Sequence, residues 1–391
     1  MLCPNYTEEL LGLKDIFLKH VERRDNKLCI HVEMHKRIHK CPRCGEWTSK
    51  VHDYRKQTIK DISAFGETTV IHLCKRRHVC PMCGKRFYET VPFLPRYHRI
   101  TSRLAAYVIK SLKEVGSMKS VATMVNLSQP TIARIFDQVG YTAKTLPRVL
   151  SLDEFRGNAG GEKFQCIVTD PENKRVIDIL PNRKTEDMAG YFLGYKDRKA
   201  VQYVVIDMSG PYRSLAKSLF PHAKIIADRY HVVRQVMWAF ENVRKAEQAK
   251  FYESRRKYFK RSRRVLLKKP DRLTEEEADQ VESMLKISER LRQAYFLKNE
   301  FHKLMGCKSK EEARKQLGIW NMMATGYNLP EFQACTKTFI NWSEEILNSF
   351  EYPFSNGYTE GVNNKIKVIK RNAFGVRNFK RFRNRILHVM S

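Results

Sequence analysis

Two short cysteine motifs constrain the N-terminal part of the chain more than any other feature. Cys41-Pro-Arg-Cys44-Gly and Cys80-Pro-Met-Cys83-Gly share the pattern C-P-x-C-G. Two residues between the cysteines let both thiolates reach one ion from a tight turn, and the glycine permits the backbone conformation of that turn. Four sulfur ligands suit tetrahedral Zn²⁺ in a closed structural site. We therefore predict one structural Zn²⁺ held by Cys41, Cys44, Cys80 and Cys83.

The segment between the two motifs is long enough to predict a β-hairpin, because Val70, His72 and Cys74 alternate as one of its strands would. Cys74 and His78 are alternative ligands, but the repeated motif favours the four paired cysteines. The remaining cysteines are scattered, which is not the density of a secreted disulfide scaffold. The cysteine pattern thus predicts a reducing, cytoplasmic location.

The charge balance predicts a nucleic-acid partner. The 391 residues include 73 Lys and Arg against 42 Asp and Glu, a formal charge of +31. So large an excess causes self-repulsion unless a polyanion neutralises it, and phosphates attract Lys and Arg whatever the base sequence. An anionic membrane surface is the alternative. A mean hydropathy of −0.52 and the lack of an apolar run of spanning length argue against a membrane.

A helix-turn-helix motif is predicted behind the cysteine motifs. Residues 117–126 fit a short helix that ends in a turn, and residues 130–138 fit a second helix with Ser128 as its N-cap. The exposed face of the second helix carries side chains able to contact bases or phosphates. These predicted DNA contacts are Gln129, Thr131 and Arg134. An ordinary helical hairpin is the alternative, but a basic chain with a metal module favours DNA binding.

Residues 148–230 alternate apolar β runs with helical segments, which is typical of an α/β sheet. The predicted strands are 149–152, 164–169, 175–180, 203–206 and 224–227. From about residue 231 to 350 the pattern is helical. The tail from Tyr358 predicts a helix, a break near Gly375 and a second basic helix.

Three acidic residues stand out by their position. Asp153 follows the first predicted strand, Asp207 follows the fourth, and Glu360 lies near the start of the basic helix. Carboxylates on neighbouring strand ends and a crossing helix can hold two Mg²⁺ (or Mn²⁺) ions, which activate an attacking hydroxyl and stabilise the leaving oxygen at phosphorus. Any one of these acids alone is more often an N-cap or a surface carboxylate. The placement of two acids at strand ends favours an active site.

The order of these parts resembles the bacterial insertion-sequence transposases of the ISL-three family. The residues that carry the resemblance are Ser151-Leu-Asp153-Glu-Phe155, Val205-Ile-Asp207-Met-Ser-Gly-Pro-Tyr212, Phe220-Pro-His-Ala-Lys-Ile-Ile-Ala-Asp228-Arg-Tyr-His231, Thr359-Glu360-Gly-Val-Asn363-Asn-Lys365-Ile-Lys367-Val-Ile-Lys370-Arg371 and Phe374-Gly375. The resemblance covers essentially the whole chain. It implies Asp153, Asp207 and Glu360 as the catalytic triad, with a helical insertion before the glutamate.

The implied fold class is multidomain α+β. A zinc-binding β module would occupy residues 1–95 and a helix-turn-helix domain residues 96–145. A ribonuclease-H-like α/β catalytic domain would combine 146–231 with 351–391, around an all-helical insertion at 232–350.

Asp228 is an alternative to Asp207 as the second metal ligand, because it also follows a strand. Asp207 is favoured since its strand should neighbour the first one in such a fold. Asp228 and His231 are then predicted to support the site or contact DNA.

Further DNA contacts are predicted in the tail, which carries nine Lys or Arg and no acid between Lys365 and Arg385. The residues chosen are Lys365, Lys367, Lys370 and Arg371, on a helix with Ile366, Val368 and Ile369 turned inward. Trp238 and Trp320 are candidates for stacking on an unpaired base, although a tryptophan is more often a core residue.

The sequence thus predicts a DNA transposase that binds the terminal inverted repeats of its insertion sequence, cleaves the ends and transfers the strands. The expected partner is double-stranded DNA, which a homodimer of the chain would bind. The expected location is the bacterial cytoplasm, in association with the nucleoid, and no membrane partner is expected. The alternatives are a catalytically inactive zinc and helix-turn-helix regulator derived from a transposase, and a nuclease without strand transfer. A tyrosine recombinase would need an Arg-His-Arg-Tyr cluster, which the sequence does not offer convincingly.

Overall fold

The computed structural model describes residues 11–114, 116–373 and 375–391. They form two compact units. The first contains the described residues up to Tyr141 together with parts of the last two helices, and the second begins at Thr142. Each unit has hydrophobic cores of its own.

A twisted sheet forms the beginning of the first unit. Its strands are β1 (Ile16–Arg24), β2 (Lys27–Met34), β5 (Val51–Lys60), β6 (Thr68–Val79) and β7 (Arg86–Tyr88), while β3 (His39–Lys40) pairs with β4 (Trp47–Thr48). The order is β1-β2-β6-β5, with β7 on β6, and β2 runs parallel to β6. Strands β5 and β6 pair antiparallel, which confirms the hairpin predicted between the cysteine motifs.

Three short helices follow within the first unit. They are α1 (Ser102–Ser111), α2 (Met118–Met124) and α3 (Gln129–Phe136), and they share one core. Asn126 adopts a φ of +50° in the turn between α2 and α3. Ser128 occupies the N-cap position as predicted, but α3 begins at Gln129, one residue early. The Ser128 hydroxyl lies 2.9 Å from the Thr131 hydroxyl and does not cap the backbone.

The second unit is built on a five-stranded sheet. Its strands are β8 (Val149–Phe155), β9 (Gln165–Asp170), β10 (Arg175–Leu180), β11 (Tyr203–Ile206) and β12 (Lys224–Ala227). The order is β10-β9-β8-β11-β12. Strands β8, β9 and β10 are antiparallel, whereas β11 lies parallel to both β8 and β12. All five predicted strands are present. Strand β8 continues three residues beyond its predicted end, so Asp153 lies within the strand and not after it.

Helices cover the rest of the second unit. They are α4 (Thr185–Leu193), α5 (Gly210–Leu219), α6 (Arg229–Ala249), α7 (Glu253–Arg261), α8 (Arg263–Leu267), α9 (Glu275–Ile287), α10 (Glu289–Leu304), α11 (Lys310–Gly326), α12 (Pro330–Asn341) and α13 (Ser343–Glu351). Their buried side chains belong to the same core as those of the sheet. The α6 helix begins at the end of β12, so the sheet continues directly into the helical stretch.

Two basic helices end the chain, α14 (Gly357–Asn372) and α15 (Phe379–Met390). Ile366 and Ile369 are buried on α14 as predicted. Val368 is 39% exposed, so its predicted inward position is wrong. The reason is the helical period, which places the residues on either side of Ile369 on other faces. Among the described residues, no helix has both the length and the apolar character to cross a bilayer.

Candidate functional site

The four predicted zinc ligands come together in the first unit. Cys41 Sγ lies 3.6 Å from Cys83 Sγ, and Cys44 Sγ lies 3.5 Å from Cys80 Sγ. A tetrahedral ion with bonds of about 2.3 Å separates its sulfur ligands by about 3.8 Å, so the four thiols fit a zinc ion closely. Both turns are closed by the glycine amide, which donates to the carbonyl of the first cysteine at 3.0 Å.

Those glycines adopt the conformation that the motif requires. Gly45 has a φ of +81° and Gly84 a φ of +67°, which side-chain-bearing residues rarely adopt. Cys74 and His78 lie outside the four-cysteine cluster. The structure therefore brings together the paired cysteines and not the alternative ligands.

At one edge of the second sheet, acidic residues converge from three adjacent strands. Asp153 lies near the end of β8, Asp207 follows β11, and Asp228 follows β12, where it occupies the N-cap position of α6. Because β8, β11 and β12 are mutually parallel, their carboxyl ends meet at the same edge. Glu360, in the first turn of α14, completes the group.

Asp153 and Asp207 share an unfavourable electrostatic environment. Burial raises the pKa of Asp153 to about 7; the negative charges of Asp207 and Asp228 add to this effect, and a hydrogen bond from the Glu154 amide opposes it. Burial also raises the pKa of Asp207, although the positive charges of His231 and Arg234 oppose that shift. Buried carboxylates that repel one another are a setting in which a divalent cation is favourable.

The structure groups Glu360 with the two residues predicted as supporting ones. The ligand atoms of Asp228, His231 and Glu360 all lie within 4.8 Å of one another. Neither Asp153 nor Asp207 belongs to such a three-residue group among the described residues. Asp207 Oδ1 and Asp228 Oδ2 are buried without a hydrogen-bond partner. Two buried carboxylate oxygens without partners are free to bind an ion.

Polar side chains that sequence reasoning missed hold the start of α14 against the sheet. The Ser151 hydroxyl donates to Asn356 Oδ1 at 2.6 Å and lies 3.0 Å from the Thr359 hydroxyl, which is 2.7 Å from that of Thr169. The backbone N–H of Asn356 donates to Asp228 Oδ1 at 3.1 Å. This network holds Thr359, the residue directly before Glu360, against strands β8 and β9.

A second missed contact reaches Asp153 from the same helix. Asn363 Nδ2 donates to Asp153 Oδ2 at 2.8 Å, and both residues are buried. Thr359 and Asn363 stand within the segment that carries the family resemblance, which is the signal that marks them in the sequence. That segment alone does not reveal which strand each side chain contacts.

The predicted DNA-contacting residues are mostly at the surface. On α3, Gln129 and Arg134 are exposed and Thr131 is half-buried, with Arg134 Nη2 donating to the Thr131 hydroxyl at 3.2 Å. On α14, Lys365, Lys367 and Arg371 are exposed and Lys370 is half-buried. Each of these positions is accessible to a DNA backbone.

The two tryptophan candidates differ. Trp320 is fully buried and its indole N–H donates to the Leu297 carbonyl at 2.9 Å, so it is a core residue and not a candidate for stacking on a base. Trp238 is 58% exposed on α6. The Arg234 guanidinium lies 4.5 Å from the centre of the Trp238 ring and 5.8 Å from that of Tyr230, which is 54% exposed. Spacing by four residues aligns all three along one face of α6.

Comparison with known families agrees with this architecture. A family model described as a transposase, of the DDE type, matches residues 150–386. A helix-turn-helix domain of transposase family ISL3 matches residues 89–140, and a zinc finger of the IS204, IS1001, IS1096 and IS1165 transposases matches residues 37–83. The acid-bearing sheet and the two modules before it thus define a DDE transposase. The chain belongs to the ISL3 family of insertion-sequence transposases.

Individual relatives point the same way. The chain is 28% identical over 393 residues to the transposase for insertion sequence element IS1001 of Bordetella parapertussis, with 96% of each chain covered. It is 22% identical to the transposase for IS1557 of Mycobacterium tuberculosis, covering 87% of this chain and 83% of the relative. A Lactococcus lactis protein named ATP-dependent protease is 36% identical over 112 residues, only 28% of this chain. Its name therefore carries no activity over to this chain.

Proposed function

We propose that this transposase binds the terminal inverted repeats of its own insertion sequence, cleaves the DNA ends and joins them to target DNA at the acidic site of the second unit. The observation that carries the proposal is the convergence of Asp153, Asp207, Asp228 and Glu360 at one sheet edge, with two buried carboxylate oxygens lacking partners. The sheet order, with three antiparallel strands followed by two parallel ones, supports a ribonuclease-H-like catalytic domain.

The donor set fits Mg²⁺ or Mn²⁺, because hard cations prefer carboxylate oxygens and retain water. Asp153, Asp207 and Glu360 would hold the ions, and Asp228 is the alternative to Asp207. Bound ions supply Lewis-acid activation of the attacking hydroxyl and of the leaving oxygen. The zinc ion proposed for Cys41, Cys44, Cys80 and Cys83 has a structural role, since all four positions are sulfur.

The chain's own residues have separate tasks in the proposed site. Asn363 orients the Asp153 carboxylate through its 2.8 Å hydrogen bond. Asn356 and Thr359 hold α14 so that Glu360 faces the sheet edge. His231, within 4.8 Å of both Asp228 and Glu360, offers a neutral nitrogen ligand or a positive charge toward phosphate.

Recognition of the ends is assigned to the first unit. Gln129, Thr131 and Arg134 on α3 would contact the major groove, and the affinity for DNA would fall as salt rises because counterions are released. Lys365, Lys367, Lys370 and Arg371 would contact backbone phosphates near Glu360. An element has two ends, and the described residues contain one such acidic site, so we propose a homodimer on DNA.

Trp238 is the proposed contact for an unpaired base at a cleaved end. Its exposed ring follows Tyr230 and Arg234 along α6, a helix that begins at Asp228. Arg234 is also close enough to Asp207 to oppose the rise of its pKa. An aromatic and basic surface that starts at the reacting acids suits the bases of a single strand.

The decisive experiment incubates the full chain with Mg²⁺ and DNA that carries the terminal repeats, and scores both cleavage and joining. We expect both products, and we expect neither from Asp153→Asn or Glu360→Gln, while both variants still bind the repeats. Glu172→Gln, an exposed acid of the same unit, is the matched control and should retain full activity. Cleavage without joining would identify a nuclease that lacks strand transfer. Binding to the repeats with neither product would identify a DNA-binding regulator.

A further inference from the structure

Three histidines form a row across the outer face of the sheet in the first unit. His20 on β1 pairs with His31 on β2, and His31 pairs with His72 on β6. The ring centres lie 4.0 Å apart for His20 and His31, and 4.7 Å apart for His31 and His72. The core-facing residues of β2, such as Ile30 and Val32, point to the opposite face.

A carboxylate adjoins this row. Glu22 lies two residues beyond His20, so its side chain is on the same face of β1. Its Oε1 is 3.1 Å from His31 Nε2. The ligand atoms of His20, Glu22 and His31 all lie within 4.8 Å of one another. Metal–nitrogen and metal–oxygen bonds of about 2.0–2.2 Å hold neighbouring donors roughly 3–4 Å apart, so small side-chain rotations are enough to close the group on one ion.

We infer that His20, Glu22 and His31 form a second divalent-metal site, separate from the four-cysteine cluster, with His72 stacked beside it. Imidazole nitrogens with one carboxylate suit a borderline transition-metal ion such as Zn²⁺, and they suit Mg²⁺ poorly. The site is open to solvent, because His20 and Glu22 are exposed while His31 and His72 are half-buried. An ion can therefore enter without unfolding the sheet.

Such an ion would hold the two strands of the β1–β2 hairpin together. That hairpin pairs through β2 with β6, whose last residue directly precedes the zinc ligand Cys80. An ion that binds only the folded state stabilises it in proportion to the logarithm of its concentration. The zinc-binding module would then be stabilised at two separate places, at one by thiolates and at the other by imidazoles and a carboxylate.

The test uses the full chain with its four-cysteine site already filled with zinc. Further Zn²⁺ is titrated, and bound metal is measured after equilibrium dialysis together with the thermal unfolding temperature. The titration is made on the Glu360→Gln chain, in which the proposed acidic site has lost a ligand. We expect one additional equivalent that depends on His31, and a zinc-dependent rise in unfolding temperature. His31→Asn should lower the affinity for the additional zinc ion at least tenfold. Loss of a group that only hydrogen-bonds to a metal ligand already has an effect of that size, and His31 would be a ligand itself.

His20→Asn and Glu22→Gln repeat the test at exposed positions where folding is not at risk. His98→Asn is the matched control, because His98 is exposed and belongs to no metal-capable group in the described part of the chain. It should bind as the Glu360→Gln chain does. Cobalt loading gives a second readout, since ions bound by imidazole and carboxylate lack the thiolate charge-transfer absorption of the four-cysteine site. The inference is overturned if the Glu360→Gln chain stops at one equivalent, or if His31→Asn binds as much metal as His98→Asn.

Discussion

Removing the charge of Asp153 should stabilise the metal-free protein while it abolishes activity. Burial raises the pKa of this carboxyl from 3.8 to about 7. Between these two values the folded chain keeps a proton that the unfolded chain has released. Stability therefore falls as pH rises through this window, and levels off above about pH 7. One pKa unit corresponds to about 1.4 kcal/mol, so the full penalty at pH 8 is up to about 4 kcal/mol.

Asp153→Asn keeps the shape of the side chain and removes the ionisation. Asn363 donates to Asp153 Oδ2, and its own Oδ1 is buried without a partner, so rotation of that amide offers an acceptor to the new Asn side chain. We expect the variant to exceed the unaltered protein in stability at pH 8. The difference should shrink toward pH 5, because there the Asp153 carboxyl of the folded unaltered protein is itself neutral.

Calorimetric unfolding at pH 5, 6, 7 and 8, with zinc present and Mg²⁺ absent, measures this difference. Adding Mg²⁺ at pH 8 should narrow it, because the ion binds the carboxylate of the unaltered protein. Glu172→Gln controls for the loss of a surface carboxylate, here one that pairs with Arg148, and it should not gain stability over the unaltered protein at pH 8. A difference that stays constant from pH 5 to pH 8, or a variant less stable at pH 8, would refute the argument.

Four further outcomes are expected. Cys44→Ser should release zinc and unfold the sheet of the first unit, as seen by metal analysis and circular dichroism; full zinc content would reject the ligand assignment. Asp207→Asn should abolish end cleavage on gels and Asp228→Asn should reduce it partially, whereas the reverse ranking would make Asp228 the second metal ligand. Trp238→Ala should weaken binding to ends with unpaired bases by about 1–3 kcal/mol in fluorescence anisotropy, and should leave duplex binding unchanged. Thr359→Val should cost about 1–3 kcal/mol of stability and lower kcat without a change in DNA affinity, while Thr359→Ser should retain both.

Features set by local sequence were predictable. The strands of the second sheet are apolar runs between polar turns, and the cysteine motifs carry their own turn chemistry. The extension of β8 through Asp153 was missed, because Asp153 and Glu154 interrupt the apolar run that marks a strand. In the structure, pairing with β9 continues the strand past these two acids.

Features set by long-range pairing were not predictable. The Ser151–Asn356 bond joins residues 205 positions apart, and nothing near either residue indicates the partner. Trp238 and Trp320 both lie on helices, and only the packing of the helices decides which is buried. The row of three histidines likewise exists only because β2 and β6 pair in parallel with His31 beside His72.

The helix α14 carries Glu360 and Lys367 on one continuous rod. At about 1.5 Å of rise per residue, the seven steps between them span roughly 10 Å, comparable to three nucleotide steps of about 3.4 Å along one DNA strand. In the proposed complex with DNA, the helix would set the distance between the reacting phosphate and a phosphate contacted by Lys367. Loss or gain of a single residue between them would also turn Lys367 by about 100° around the axis. On this proposal, a substitution in this segment keeps the spacing between the two side chains, whereas an insertion or deletion changes it.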